Sequence, residues 1–449
     1  MQVSGHLLIF VDKNSILQTD KFVKRCVMDI NKLLKGFDCE CGRHHSCDIK
    51  YVYIESGAIN RLSEICGSFN NILIVADENT YGAAGDLTVK ALDGKTINKV
   101  IFSGKEILVP NEAAIDTVTK ALGETEMIVG IGSGVIQDLC KYVSFFNKVP
   151  YLVVATAPSM DGYASTGAAM ITNGMKESYP AGLPTAIIGD VDVLKNAPID
   201  MIKAGFGDVI GKFSALNDWK LSNLINGEYL CQYIYDLTFE QINTVLSLAD
   251  GILKRDDQSV KALMEALVVI GIMMSFVGCS RPASGSEHHL SHFFEITGII
   301  NGTDYFPHGI DVAFSTVITA KLREDIVKTP FPKKLYRPLD SERNAEIDKI
   351  YTKVANGCIE LQEKVGNYKA DRLSVYLENE ADIKAILSEM PSALEINEIL
   401  SNVGLDINDF FMRYGRQHIR DAVKYAKELK DRYTCLWLNY DLFGGKANV

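Results

Sequence analysis

Short apolar, β-branched runs separated by helix-length stretches fill the first two hundred residues and then stop, and this alternation constrains the fold most. Residues 72–76 (ILIVA) end at Asp77, and residues 99–102, 127–131, 151–155 (YLVVA) and 185–188 follow. Helical spacing occupies 112–122 and 135–146 between them. Strands written as continuous apolar runs, alternating with helices, imply a parallel sheet in an α/β domain over residues 1–199. From 200 to 449 the pattern is all helical: 207–225, 231–250, 259–278, 339–365, 391–403 and 406–432 carry the 3.6-residue period. The expectation is therefore α/β plus all-α, a sheet domain followed by a helical one.

A chain of 449 residues is long enough for two cores, and it carries no internal repeat. Its 46 Lys and Arg against 57 Asp and Glu give a net charge of -11, which argues against nucleic-acid or anionic-membrane partners. Residues 7–11 form an apolar run too short, and without the basic flank, for a signal peptide. The longest apolar stretch, 266–278, falls short of the roughly 20 residues that span a bilayer and reads as a buried helix. These features predict a cytoplasmic protein.

Ten cysteines do not make a disulfide scaffold in a chain this long. Cys66, Cys140, Cys231 and Cys435 sit singly in apolar runs, as small hydrophobes do. Cys39, Cys41, His44, His45 and Cys47 instead cluster within nine residues, a zinc-like composition. Cys-x-Cys is a cramped bite and no second Cys pair follows, so a β-hairpin carrying free thiols is the expected structure.

Chemistry gathers at strand ends and helix starts. The run at 127–141, MIVGIGSGVIQDLCK, passes from strand through Gly130, Gly132, Ser133 and Gly134 into a helix containing Asp138. Glycines there let backbone approach a phosphate at a helix N-terminus, although a tight turn without ligand has the same composition. The spacing is not Gly-x-Gly-x-x-Gly. Asp77 can accept hydrogen bonds from ribose hydroxyls, or serve as a turn or N-cap residue. After YLVVA come Thr156, Ser159, Asp161 and Ser165, suited to cofactor and substrate hydroxyls or to an ordinary loop.

In the helical half, Asp208 follows Gly205-Phe-Gly207, His288 and His292 share a helix face in SGSEHHLSH, and His308 stands in Pro-His-Gly. Asp and His at three helix starts favour a metal site of Asp208 and two histidines, suited to Zn²⁺, Fe²⁺ or Ni²⁺ and poorly to Mg²⁺.

Together GIGSGVIQDLCK, ATAPSMDGYAS, GFGDVIGK, SGSEHHLSH and PHG, in that order, resemble the iron-containing alcohol dehydrogenase and dehydroquinate synthase-like superfamily. Within it the chain is similar to the sn-glycerol-1-phosphate dehydrogenases of the bacterial branch, and the prefix CECGRHH also resembles that branch. The resemblance implies a Rossmann-like nucleotide-binding domain, then a helical metal-binding domain. It places metal ligands at Asp208, His288 and His308, and substrate contacts at Asp161, Asp208 and His292. It places NAD(H) or NADP(H) contacts at Asp77, Gly132, Ser133, Gly134, Asp138, Thr156, Ser159 and Ser165. Ser133, where a third consecutive glycine is common, and Gln137 depart from the superfamily pattern.

The implied reaction reduces dihydroxyacetone phosphate to sn-glycerol 1-phosphate, with hydride from the nicotinamide and a metal Lewis acid. Lys212, Arg281 and His292 are the candidate phosphate partners. The bacterial branch suggests nickel, the archaeal relatives zinc, and the superfamily admits iron; a homodimer is implied. Asp77 would repel a 2′-phosphate, favouring NADH. Alternatives are a dehydrogenase of unphosphorylated glycerol or another polyol, a dehydroquinate synthase-like lyase and a non-catalytic nucleotide binder. The lyase branch has Glu as first metal ligand, where this chain has Asp208.

Overall fold

The computed structural model describes residues 29–106, 108–172 and 175–448, so the apolar run at 7–11 lies outside the described residues. A two-stranded antiparallel hairpin, β1 (Phe37–Asp38) and β2 (His44–His45), precedes the main sheet. That sheet holds β3 (Tyr51–Glu55), β4 (Asn71–Asp77), β5 (Thr96–Phe102), β6 (Met127–Gly132) and β7 (Tyr151–Ala155). An antiparallel pair, β8 (Gly167–Thr172) and β9 (Met175–Pro180), intervenes before β10 (Ala186–Asp190) returns to the main sheet. The order is β3-β10-β7-β6-β4-β5, and every neighbouring pair is parallel.

All five predicted strands are present. Their side chains alternate between two cores: Leu73 and Val75 face one apolar cluster, Ile72, Ile74 and Ala76 the other. Burial on both faces explains why β4, β6, β7 and β10 read as continuous apolar runs, whereas β5, at the sheet edge, has no fully buried residue. The strand β3 is an addition to the expected set. It lies at the sheet edge with Tyr51 and Glu55 exposed, so its apolar signal is diluted. The β8–β9 pair is a second addition to the expected set.

The helical half begins with Ile199–Asn226, and all later elements among the described residues are helical. One predicted helix, 339–365, is broken at Thr352 (φ 44°) into Asp340–Tyr351, a short 3₁₀ turn and Ala355–Val365. Another, 406–432, turns at Gly415 (φ 70°) and ends at Tyr425 before a 3₁₀ turn. Apolar periodicity continues across a single residue of positive φ and therefore hides such breaks. The helix Asp257–Val277 has the length and hydropathy to cross a membrane, yet 78% of its apolar window is buried in the protein.

One apolar cluster joins Val75 and Val153 of the sheet to Phe206, Leu267 and Phe293 of the helices, so the two halves share a core. The β1–β2 hairpin, grouped by sequence with the first domain, packs on the second. Phe37 lies edge-on to Tyr233 and Phe276, with ring centroids 4.9 and 5.8 Å away.

Candidate active site

β4 and β6 are adjacent, but the chain leaves β4 towards β5 and leaves β6 towards β7. Their C-terminal ends flank the reversal in strand order, the crevice where open α/β sheets take ligands. Asp77 ends β4 there, and Gly132 ends β6. Gly132, Ser133 and Gly134 lead into the helix Gly134–Asn147, whose N-terminal turn is suited to a phosphate. A Cβ on Gly132 would sit 2.7 Å from Cβ of Ile136, so the turn is as tight as a glycine allows.

Thr156 and Ser159 are buried beside this turn, and the Thr156 N–H donates to the Gly132 carbonyl at 3.3 Å. Asp77 also serves as N-cap: its Oδ1 accepts the Thr80 N–H at 2.8 Å while Thr80 Oγ1 accepts the Asp77 N–H at 3.1 Å. Asp138 and Ser165 meet on buried Lys141, whose Nζ lies 3.5 Å from Asp138 Oδ1 and donates to Ser165 Oγ at 3.2 Å. Lys141 further donates to the carbonyls of Gly162 and Gly167. Gln137, out of pattern in the sequence, donates its amide to the carbonyls of Gly162 and Tyr163, both at 2.9 Å. These two side chains lock the loop after β7 onto the glycine-rich turn. Neither role is visible in the sequence, because both contacts bridge more than twenty residues.

Asp208, His288 and His308 come from three helices, Ile199–Asn226, Ser286–Asn301 and His308–Lys328. One ligand atom from each lies within 4.8 Å of the other two, and His288 Nε2 is 3.5 Å from Asp208 Oδ1. Two glycines set this approach. A Cβ on Gly207 would lie 2.4 Å from the Gly309 carbonyl oxygen, and one on Gly309 2.0 Å from that of Ala204. The Asp208 and His308 helices thus touch backbone to backbone.

Glu287, which the sequence does not single out, accepts from His288 Nδ1 at 2.6 Å and from the Gly285 N–H at 2.9 Å. A carboxylate on Nδ1 fixes the tautomer and leaves Nε2 as the donor atom facing Asp208. One carboxylate and two imidazoles so converged fit a divalent metal ion of the zinc, nickel or iron type. His292, one turn further along the His288 helix, lies at the rim, its ring centroid 6.3 Å from that of His288 and 5.6 Å from that of His308.

Lys212 is fully buried and bridges two carboxylates, 2.6 Å from both Asp161 Oδ2 and Asp208 Oδ1. The Asp161 N–H in turn donates to Asp208 Oδ2 at 2.9 Å. Burial and the adjacent Asp208 carboxylate push Asp161 above the ordinary carboxylate range. Burial also opposes ionisation of Asp208, but the Lys212 ammonium and the His288 imidazole hold it below that range.

Two of the candidate phosphate partners have carboxylate partners of their own. Lys212 is committed to Asp161 and Asp208 at the floor of the site, so it is not available to a substrate phosphate. Arg281 is held by Glu228 through Nε and Nη2, while its buried Nη1 has no partner among the described residues. A cation inside an apolar interior needs its own carboxylate, and residue order does not reveal which cations have one.

Residues 53–198 match the model of the iron-containing alcohol dehydrogenase family. A glycerol-1-phosphate dehydrogenase (NAD(P)+) of Halalkalibacterium halodurans is 29% identical over 421 residues, covering 91% of this chain and 98% of that protein. The protein of the same name from Bacillus velezensis is 31% identical over 315 residues, covering 68% of this chain and 78% of its own. Among solved structures, an alcohol dehydrogenase from Oenococcus oeni superposes with a TM-score of 0.57 at 13% identity, covering 86% of this chain and 94% of that one. The match to the Bacillus velezensis protein over 78% of its length shows that the chain belongs to the iron-containing alcohol dehydrogenase family, among its glycerol-1-phosphate dehydrogenases.

Proposed function

We propose that this chain catalyses the NAD(P)H-dependent, metal-dependent reduction of dihydroxyacetone phosphate to sn-glycerol 1-phosphate, and the reverse oxidation. The observation that carries the reading is the convergence of Asp208, His288 and His308 in a chain whose relatives bear that name. Asp208, His288 and His308 would hold the metal, nickel or zinc, with Glu287 orienting His288. When bound, the metal supplies Lewis acidity at the substrate carbonyl and the nicotinamide supplies hydride.

The chain's own part is positioning. Asp77, the turn from Gly132 to Gly134, Asp138, Thr156, Ser159 and Ser165 would seat the dinucleotide at the sheet crevice. Lys141 and Gln137 keep that loop in register with the turn. Asp161 would orient a substrate hydroxyl, with Lys212 holding both Asp161 and Asp208 in place. Of the three groups named for the phosphate, His292 lies at the rim of the site. The protein would act in the cytoplasm as a homodimer, as the family resemblance supports; sedimentation equilibrium tests the assembly.

The decisive experiment assays dihydroxyacetone phosphate with NADH, and separately glycerol with NAD⁺, while metal content is measured. His308→Ala should lose the active-site metal and nearly all turnover while retaining the fold. Wild-type activity in that variant after dialysis against a chelator would end the metal assignment. Preference for glycerol over glycerol 1-phosphate would end the substrate assignment.

A further inference from the structure

Cys231 caps the helix Gln232–Ser247, and it lies against the N-terminal hairpin nearly two hundred residues earlier in the chain. Its Sγ is 3.7 Å from Cys39 Sγ and 3.5 Å from His45 Nε2, while Cys41 Sγ is 3.4 Å from the same nitrogen. All four donor atoms fall within 4.8 Å of one another. We propose that Cys39, Cys41, His45 and Cys231 bind a second metal ion, Zn²⁺ by its chemistry, in a closed structural site that fastens the hairpin to the helical half.

The Cys39–Cys231, Cys231–His45 and Cys41–His45 spacings are those of edges of a tetrahedron around zinc. Bonds of about 2.3 Å to sulfur and about 2.05 Å to nitrogen put neighbouring sulfurs about 3.8 Å apart and sulfur about 3.5 Å from nitrogen. Three thiolates and one imidazole are a structural-zinc donor set that leaves no position open for substrate.

The surroundings support the same reading. His45 is fully buried, and its Nδ1 lies 3.3 Å from the Phe276 carbonyl oxygen, which fixes the tautomer with Nε2 towards the thiols. The Tyr229 hydroxyl is 3.1 Å from Cys41 Sγ, where it can donate to a thiolate. Gly42, at φ 83°, closes the turn, its N–H donating to the Cys39 carbonyl at 2.9 Å. The site shares no residue with the Asp208, His288, His308 set, and the inference is independent of the proposed reaction.

The test uses full-length protein purified under reducing conditions, with zinc measured per chain, followed by replacement with Co²⁺. Only thiolate ligands give intense near-ultraviolet sulfur-to-cobalt absorption, and the active-site set contains no thiol. Wild type and His308→Ala should each show one thiolate-bound cobalt per chain. Cys41→Ser and Cys231→Ser should each lose the band and one equivalent of zinc, and should melt at lower temperature. Should the cysteine variants fail to fold, the wild-type and His308→Ala spectra decide alone. A wild type without thiolate-bound metal, with freely alkylated Cys39, Cys41 and Cys231 or with a Cys39–Cys231 disulfide, overturns the proposal.

Discussion

Replacing Gly309 with alanine drives a methyl carbon to 2.0 Å from the Ala204 carbonyl oxygen, and to 2.6 Å from its carbonyl carbon. Ordinary contact begins near 3.4 Å, and the obstruction is backbone that no rotamer change can clear. The Asp208 and His308 helices must therefore separate by more than an ångström. Overpacking of this kind costs typically about 1–3 kcal/mol, and rigid backbone places it at the upper end. Alanine's better helix propensity returns about 1 kcal/mol, leaving a net loss of about 2 kcal/mol. The metal set should suffer more, because metal–ligand distances tolerate only about 0.2 Å. Metal affinity should drop by about a hundredfold or more, on a par with the largest losses from disturbed supporting residues. Chemical denaturation gives the stability change, and titration of metal-free protein gives the affinity. Gly357→Ala, where a Cβ meets nothing within 4 Å, is the control and should be neutral or slightly stabilising. A Gly309→Ala protein with wild-type metal affinity and turnover would refute the close-approach argument.

Asp77 has a cap to maintain as well as its proposed ribose contact. Asp77→Asn preserves capping and should narrow any preference for NADH over NADPH at unchanged stability, whereas Asp77→Ala should also destabilise by about 1 kcal/mol. Unchanged cofactor constants in both variants would leave Asp77 as a cap alone. Asp161→Asn should lower kcat/KM about tenfold, equivalent to about 1.4 kcal/mol, with NADH affinity unchanged. Because Lys212 couples Asp161 to Asp208, metal content must be measured alongside; a variant that fails by losing metal would show a supporting role instead. Burial pushes Asp311 well above the ordinary carboxylate range, even though the Tyr414 hydroxyl lies 2.9 and 3.0 Å from its two oxygens. A carboxyl raised on folding contributes its stability below the unfolded value and loses it as pH rises towards the folded one. Urea midpoints should then fall from about pH 4 upward relative to Asp311→Asn. Parallel pH profiles for the two proteins would contradict that sign.

Patterns local to the chain are legible in the amino-acid order alone. Continuous apolar runs bounded by turn residues mark strands buried on both faces, so the parallel sheet and the helical half follow from periodicity. The order also shows Asp208 and a cluster of histidines, but only the resemblance singles out His288 and His308 over His292 as the proposed ligands.

Partnership across the fold is not legible in that order. Cys231 reads as a small hydrophobe because its apolar neighbours in sequence are real, yet its thiol faces Cys39, Cys41 and His45 on a distant hairpin. Lys212 and Arg281 read as free cations, and each is matched by carboxylates, Asp161 and Asp208 for one and Glu228 for the other. Glu287 stands next to His288 in the chain, but adjacency in a helix does not reveal which ring nitrogen it meets. Periodicity reports which face of an element is buried; it carries no record of what lies opposite. Burial makes an unpaired charge expensive, so its partner is selected in three dimensions, and only the packed chain brings the two together.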